Sequence, residues 1–227
     1  MTEYSLHAEI KDWYSGLGAE TEVKVDDYVI DVVKDGLLIE IQTRNLSAIR
    51  KKLAKLLLTN RVRLVYPIAK VKWIVYESTL GEFVKKRKSP KKGKLVDLFI
   101  EMVHISELVD CENFSFEVLL IEEEELRCND GRGNWKRKGV SIKDRKLRKV
   151  FDTVVFEDRN DFLSFLPRNL DGSFTNRVLA KKLGISIRLA QKITYCLRKM
   201  SALTIDGKKK RELLFRVHEN SKFLTQN

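Results

Sequence analysis

The stretch YVIDVVKDGLLIEIQT, residues 28–43, constrains the fold more than any other part of the chain. Two runs rich in β-branched and aliphatic residues flank Lys34-Asp35-Gly36, and Asp-Gly between such runs signals a tight hairpin. A hairpin of this composition buries one face in a sheet, yet Asp31, Glu40 and Gln42 stand among its apolar residues. Residues two apart on a strand share a face. Glu40 and Gln42 therefore point one way, Ile39 and Ile41 the other, and Asp31 lies across from the polar pair on the neighbouring strand. Two carboxylates held close on a rigid sheet repel each other unless a cation lies between them or one is protonated. Carboxylate oxygens, a backbone carbonyl and waters form a ligand set suited to Mg2+ or Mn2+. The plain alternative is that both acids are solvent-facing charges of an ordinary hairpin.

The flanking sequence extends this into a fold. Leu6, Ile10, Trp13 and Tyr14 are spaced for a helix over 4–14 that Gly16 and Gly18 close. Strands are predicted over 20–26, 28–34 and 37–43. NLSAIRKKLAKLLLTN (45–60) reads as an amphipathic helix, with Asn45 or Ser47 as its cap. RVRLVYPI and KVKWIVYE read as two further strands. The order αβββαβ predicts an α/β class with a mixed sheet and helices packed on it. KKRKSPKKGK (85–94) reads as an exposed loop, LVDLFIEMVHISELV as a helix, and FSFEVLLIEEEEL as a strand fraying into an acidic run.

Glycine-punctuated, basic residues 128–150 read as a hairpin or a mobile arm between domains. Beyond them Phe162, Phe165 and Leu166 open a helix that Pro167 ends. FTNRVLAKKLGIS and IRLAQKITYCLRKMSAL are helices separated by Gly184-Ile185-Ser186, and LTIDGKKKRELLFRV is a hairpin turning at Asp206-Gly207. The expected division is an α/β domain over 1–127, a basic connecting arm over 128–160 and a small helical domain over 161–227. Helix, short glycine turn, longer basic helix and basic hairpin resemble a winged helix-turn-helix over the last sixty residues.

Asp31, eight intervening residues, then Glu40-Ile41-Gln42 resembles the PD-(D/E)XK nuclease superfamily, whose motif is an acid, a hairpin turn and Asp/Glu-x-Lys. The αβββαβ order over 4–76 resembles that family's restriction-endonuclease-like core as well. The resemblance implies that Asp31, Glu40 and the Ile41 carbonyl hold Mg2+ or Mn2+. It gives Glu9, on the first helix, a supporting role, and Gln42 the positioning of the attacking water. Gln42 stands where the family has lysine, and it can orient a water without supplying charge; Arg50, Lys51 and Lys55 are alternative cations. Proline is absent before Asp31.

Lys and Arg number 44 against 32 Asp and Glu, a net charge of +12, which favours a polyanionic partner, nucleic acid first and an anionic membrane surface second. Arg188, Lys192, Arg198 and Lys199 on the second C-terminal helix, with Lys208, Lys209, Lys210 and Arg211 in the hairpin, are candidate phosphate contacts. Trp135, amid Lys136, Arg137 and Lys138, is placed to stack on a base, to wedge into a duplex or to pin its segment to the core. The three cysteines show no zinc spacing, the three histidines no triad, and no apolar run approaches the ~18 residues of a membrane span. Without a signal peptide, a reduced, cytoplasmic, non-membrane protein is expected. The leading expectation is a Mg2+-dependent nuclease on duplex DNA. A homodimer or a larger assembly remains open. The alternatives are a non-catalytic DNA-binding regulator on a nuclease-like scaffold, an RNA-directed nuclease, and a subunit of a defence or repair assembly.

Overall fold

The structure, a computed structural model, describes residues 5–16, 18–170 and 172–218. Tyr4, at the start of the expected first helix, and the chain beyond His218 lie outside them. The protein is an α/β fold on a large mixed sheet. Helix α1 (Ser5–Tyr14) precedes the meander β1 (Ala19–Val25), β2 (Tyr28–Lys34) and β3 (Leu37–Ile41). After α2 (Arg50–Leu56) come β4 (Arg61–Glu77) and β5 (Phe83–Lys88). Helix α3 (Phe99–Met102), β6 (Phe114–Asn129) and β7 (Val140–Phe156) follow. The sheet runs β1-β2-β3-β4-β6-β7, with β5 also on β4. Side-chain bonds place β4 and β6 parallel: Arg63 reaches Ser115 at one end, and Lys72 reaches Glu123 and Glu125 further along both strands.

The hairpin at residues 34–37 forms as its sequence demands. Lys34 pairs with Leu37, and Asp35 and Gly36 both take positive φ (49° and 72°), the backbone of a two-residue primed turn. Elsewhere the structure corrects the element boundaries. RVRLVYPI and KVKWIVYE are one 17-residue strand, because the single Ala69 between them offers no turn chemistry. Residues 85–88, expected as part of a loop, belong to β5, which pairs with Trp73–Glu77 and is exposed along its length. Ser47 donates to Asn45 Oδ1, and neither caps α2, whose N-cap is Ile49. LVDLFIEMVHISELV breaks into α3 flanked by single 3₁₀ turns.

The acidic run does not fray. Its alternation puts Glu123 and Glu125, both buried, on one face of β6, where Lys72 of β4 and Arg145 of β7 meet them. Residues 140–156, expected within a connecting arm, are instead a full strand of the sheet, so 128–150 is the hairpin of the two expected forms.

The chain divides into two compact units, each discontinuous in sequence. The first comprises residues 1–43, 65–95 and 117–154. In it Leu6 and Ile10 of α1 pack on Val32, Ile39, Ile41, Val65, Leu119 and Ile121, with Leu147 and Val150 at the margin. Each such aliphatic side chain, fully buried, stabilises by roughly 1.5–3 kcal/mol.

The second unit comprises 44–64, 96–116 and 155–227, and so groups the C-terminal residues with two earlier segments. Phe99 meets Phe162 and Phe165 edge-on, and Phe156 stacks on the latter two rings. Helices α4 (Asn176–Leu183) and α5 (Ile187–Lys199) are capped by Thr175 and Ser186 and separated by Gly184 at φ 61°. The hairpin β8 (Leu203–Lys209) and β9 (Glu212–Val217) turns at Lys210-Arg211. Asp206-Gly207, the expected turn, is a register shift between Ile205 and Gly207, with Asp206 bonded to Ser173 and Arg216. The dipeptide that signals a hairpin turn marks a bulge here.

Candidate active site

The paired register of β2 and β3 runs Lys34↔Leu37, Val33↔Leu38, Val32↔Ile39. Continued one step past the paired residues, this register brings Asp31 opposite Glu40. Glu40 is 3% exposed and Asp31 is half-buried, so neither is a charge on an open solvent face. The next N–H of β3, that of Ile41, donates to Asp31 Oδ2 at 2.8 Å. Gln42 lies just past the end of β3, and its backbone N–H donates to the Val65 carbonyl at 2.9 Å.

His7, which the sequence reading passed over, completes the site. Its Nε2 lies 3.0 Å from the Ile41 carbonyl oxygen and 3.3 Å from Asp31 Oδ2. Both neighbours are acceptors, so a proton on Nε2 would be donated to them, and a deprotonated Nε2 would offer its lone pair in the same direction. Glu9 is two residues on, roughly 200° around a helix of 3.6 residues per turn. Its carboxylate accepts the Leu147 backbone N–H of β7 instead, and no contact brings it to Asp31. Arg50, one alternative cation, is paired with Glu107 at 2.6 Å.

Donor spacing tests whether this arrangement fits a divalent ion. Neighbouring ligands on an octahedral Mg2+ at about 2.1 Å stand about 3.0 Å apart. The His7–Ile41 and His7–Asp31 separations, 3.0 and 3.3 Å, fall at that spacing. Among the described residues no three His, Cys, Asp or Glu side chains gather into a metal cluster, so the fit depends on the Ile41 carbonyl as a ligand.

A family model described as a domain of unknown function, DUF8091, matches residues 4–157. The chain belongs to the DUF8091 family. The match runs from α1 through β7, so the DUF8091 domain takes in residues 128–156, most of the expected arm. An uncharacterized protein of Treponema pallidum (strain Nichols) is 31% identical over 216 residues, covering 94% of this chain and 85% of that protein. No solved structure matches.

The expected nucleic-acid contacts of this DUF8091 protein divide into two groups. Arg188 and Arg198 of α5 are exposed, as are Lys208, Lys209, Lys210 and Arg211 at the hairpin turn. Lys192 instead donates to the Ile100 carbonyl at 2.9 Å, and Lys199 lies 3.5 Å from Glu107. Gln191 and Tyr195 are exposed and lie at helical spacing with Arg188 and Arg198. That stripe was visible in the periodicity, but selecting cations alone passed over it. Trp135 is 81% exposed and its neighbours Lys136 and Lys138 are exposed too, so Trp135 does not pin its segment to the core. No helix among the described residues is long and apolar enough to cross a membrane.

Proposed function

We propose that the protein is a divalent-metal-dependent nuclease acting on duplex DNA. The observation that carries the reading is the convergence of Asp31 Oδ2, the Ile41 carbonyl and His7 Nε2 at ligand-like spacing, with buried Glu40 on the same strand. The order α1-β1-β2-β3-α2-β4 supports a PD-(D/E)XK-like core. The α4–α5–β8–β9 succession, with Phe174 bridging to Phe215 as a further sheet contact, supports a winged helix. Asp31, Glu40, the Ile41 carbonyl and His7 would hold Mg2+ or Mn2+, and such an ion polarises a phosphodiester and lowers the pKa of bound water. Gln42 follows Ile41 directly and would orient the attacking water through its amide. The exposed Arg188 and Arg198 would meet phosphates while Gln191 reads a base edge.

The test is cleavage of plasmid and linear DNA in Mg2+ or Mn2+ by wild type, Asp31→Asn and Glu40→Gln. Wild-type cutting that both variants lose by more than 100-fold is expected. Equal cutting by all three refutes the site. A second reading has its own observation. Gln42 stands where the resembled family carries lysine and brings no charge to the site, which favours a non-catalytic DNA-binding regulator on the same scaffold. Duplex binding without cutting in either metal decides for it.

A further inference from the structure

Beyond the acidic hairpin, we infer a second nucleic-acid contact at the far end of the same unit, formed jointly by the β4–β5 and β6–β7 hairpin tips. This inference rests on the reading that the partner is nucleic acid, and it concerns where that partner lies. Because β4 and β6 run parallel, their following loops leave the same end of the sheet. There the Cys128 thiol reaches the Ser78 carbonyl, and Lys86 of β5 pairs with Glu124 of β6.

Both tips expose large apolar side chains. Leu80 is 85% exposed and Phe83 68% on one, Trp135 81% on the other. Single exposed apolar residues are ordinary; several converging from two loops mark a contact surface. The loops are also built rather than loose. In the first, Ser78 Oγ accepts the N–H groups of Leu80 and Glu82, and the Ser78 N–H donates to the Glu82 carbonyl. In the second, Asp130 accepts from the Arg132 N–H, Ser141 and Lys143. Asn134 caps a 3₁₀ turn that presents Trp135, and the Gly133 N–H closes on the Gly139 carbonyl. An aromatic side chain held out on a fixed loop has already lost much of the entropy that binding would otherwise cost.

Charge selects the occupant. Arg132, Lys136 and Lys138 are exposed around Trp135, and Lys85, Arg87 and Lys88 continue from Phe83 along the wholly exposed β5. Cations interleaved with flat rings suit phosphates and unstacked bases. The distance is set by the strand itself. Gln42 bonds to Val65, and β4 continues to Glu77, twelve residues on. At ~3.3 Å per residue the tips stand roughly 40 Å from the acidic hairpin. That separation spans about a dozen base pairs at ~3.4 Å each.

The test measures binding in EDTA, so that no cutting intervenes, with fluorescein-labelled duplexes of 8, 16 and 24 base pairs and with phosphatidylserine vesicles. Wild type and a Phe83→Ser/Trp135→Ser variant are compared. Both side chains are mostly exposed, so the fold is kept, and Trp135→Phe serves as the conservative control. Wild-type affinity is expected to step up at least 10-fold between 8 and 16 base pairs. The double variant should lose that step while matching wild type on 8 base pairs, and Trp135→Phe should retain most of it. Equal affinity of wild type and double variant on 24 base pairs overturns the inference, as does a wild type that binds no duplex. A defect confined to vesicles assigns the tips to a lipid surface and overturns it too. A length step in a protein that never cuts DNA would sink the nuclease reading alone. Cutting that is indifferent to the tips, without a length step, would sink this one alone.

Discussion

Asp31 has two duties in the structure, and substitution can separate them. Its Oδ2 accepts the N–H of Ile41, a residue 1% exposed, so no water can replace that bond. Asp31→Ala strands the N–H at a cost of about 1–3 kcal/mol. For a chain of this size each kcal/mol moves Tm by roughly 2–4 °C, so a central ~2 kcal/mol lowers it by about 4–8 °C. Asp31→Asn keeps an oxygen for Ile41 and loses only the charge assistance, about 1 kcal/mol. Relief of repulsion from Glu40 across the hairpin offsets part of that. The asparagine variant should therefore melt within about 4 °C of wild type in EDTA. Metal reverses the comparison. An ion at 100 times its Kd stabilises the native state by about 2.7 kcal/mol, or roughly 5–10 °C. Wild type should show that rise with Mn2+ and Asp31→Asn should not. Scanning calorimetry with and without Mn2+ decides the matter. If Asp31→Ala melts with wild type, the Ile41 bond carries no stability. If Mn2+ raises both proteins equally, the ion binds elsewhere.

Two further outcomes follow from the rest of the first unit. Burial pushes the Glu125 carboxyl up, but Lys72, Arg127 and Arg145 outweigh it and hold the group below its ordinary 4.5. A depressed folded value means that this stabilisation is complete above about pH 4.5 and fades as the pH falls further. Glu125→Gln should cost roughly 3 kcal/mol in urea melts at pH 7, the lower end for a broken buried pair because Lys72 keeps Glu123, and should flatten the acid limb; an unchanged acid limb refutes the assignment. Gly133→Ala would bring a Cβ within 1.9 Å of the Val140 carbonyl oxygen, so the 130–139 loop must open. Limited proteolysis should then nick that loop faster while far-UV circular dichroism is retained, and an unchanged nicking rate counts against the loop geometry.

What could be read in advance was what short-range chemistry dictates. Asp35-Gly36 makes its turn because two consecutive positive φ values suit few other pairs. The alternation in FSFEVLLIEEEEL was also present, but four glutamates in a row looked like a solvated end. Only long-range partners reveal otherwise. Lys72 and Arg145 come from neighbouring strands on either side, and no local window contains them both. The 128–160 segment depends on distant partners in the same way. Its charges suggested an arm, whereas pairing with β6 makes most of it a strand.

The site shows the limit most sharply. Strand periodicity of two placed Asp31, Glu40 and the Ile41 carbonyl, since a hairpin register leaves little freedom once its turn is set. The helix contribution depended on rotational phase, which a strand pattern cannot give. Leu6 and Ile10 are the fully buried residues of α1, and they define the face it lays on the sheet. His7 lies about 100° from Leu6 and about 60° from Ile10, on the flank of that face nearer Ile10. Glu9, about 100° from Ile10, lies on the opposite flank and reaches β7 instead. One helix cannot turn both residues toward Asp31. Choosing the acid over the imidazole followed ligand chemistry where packing geometry decides, because the residues that anchor α1 also determine which polar neighbour enters the site.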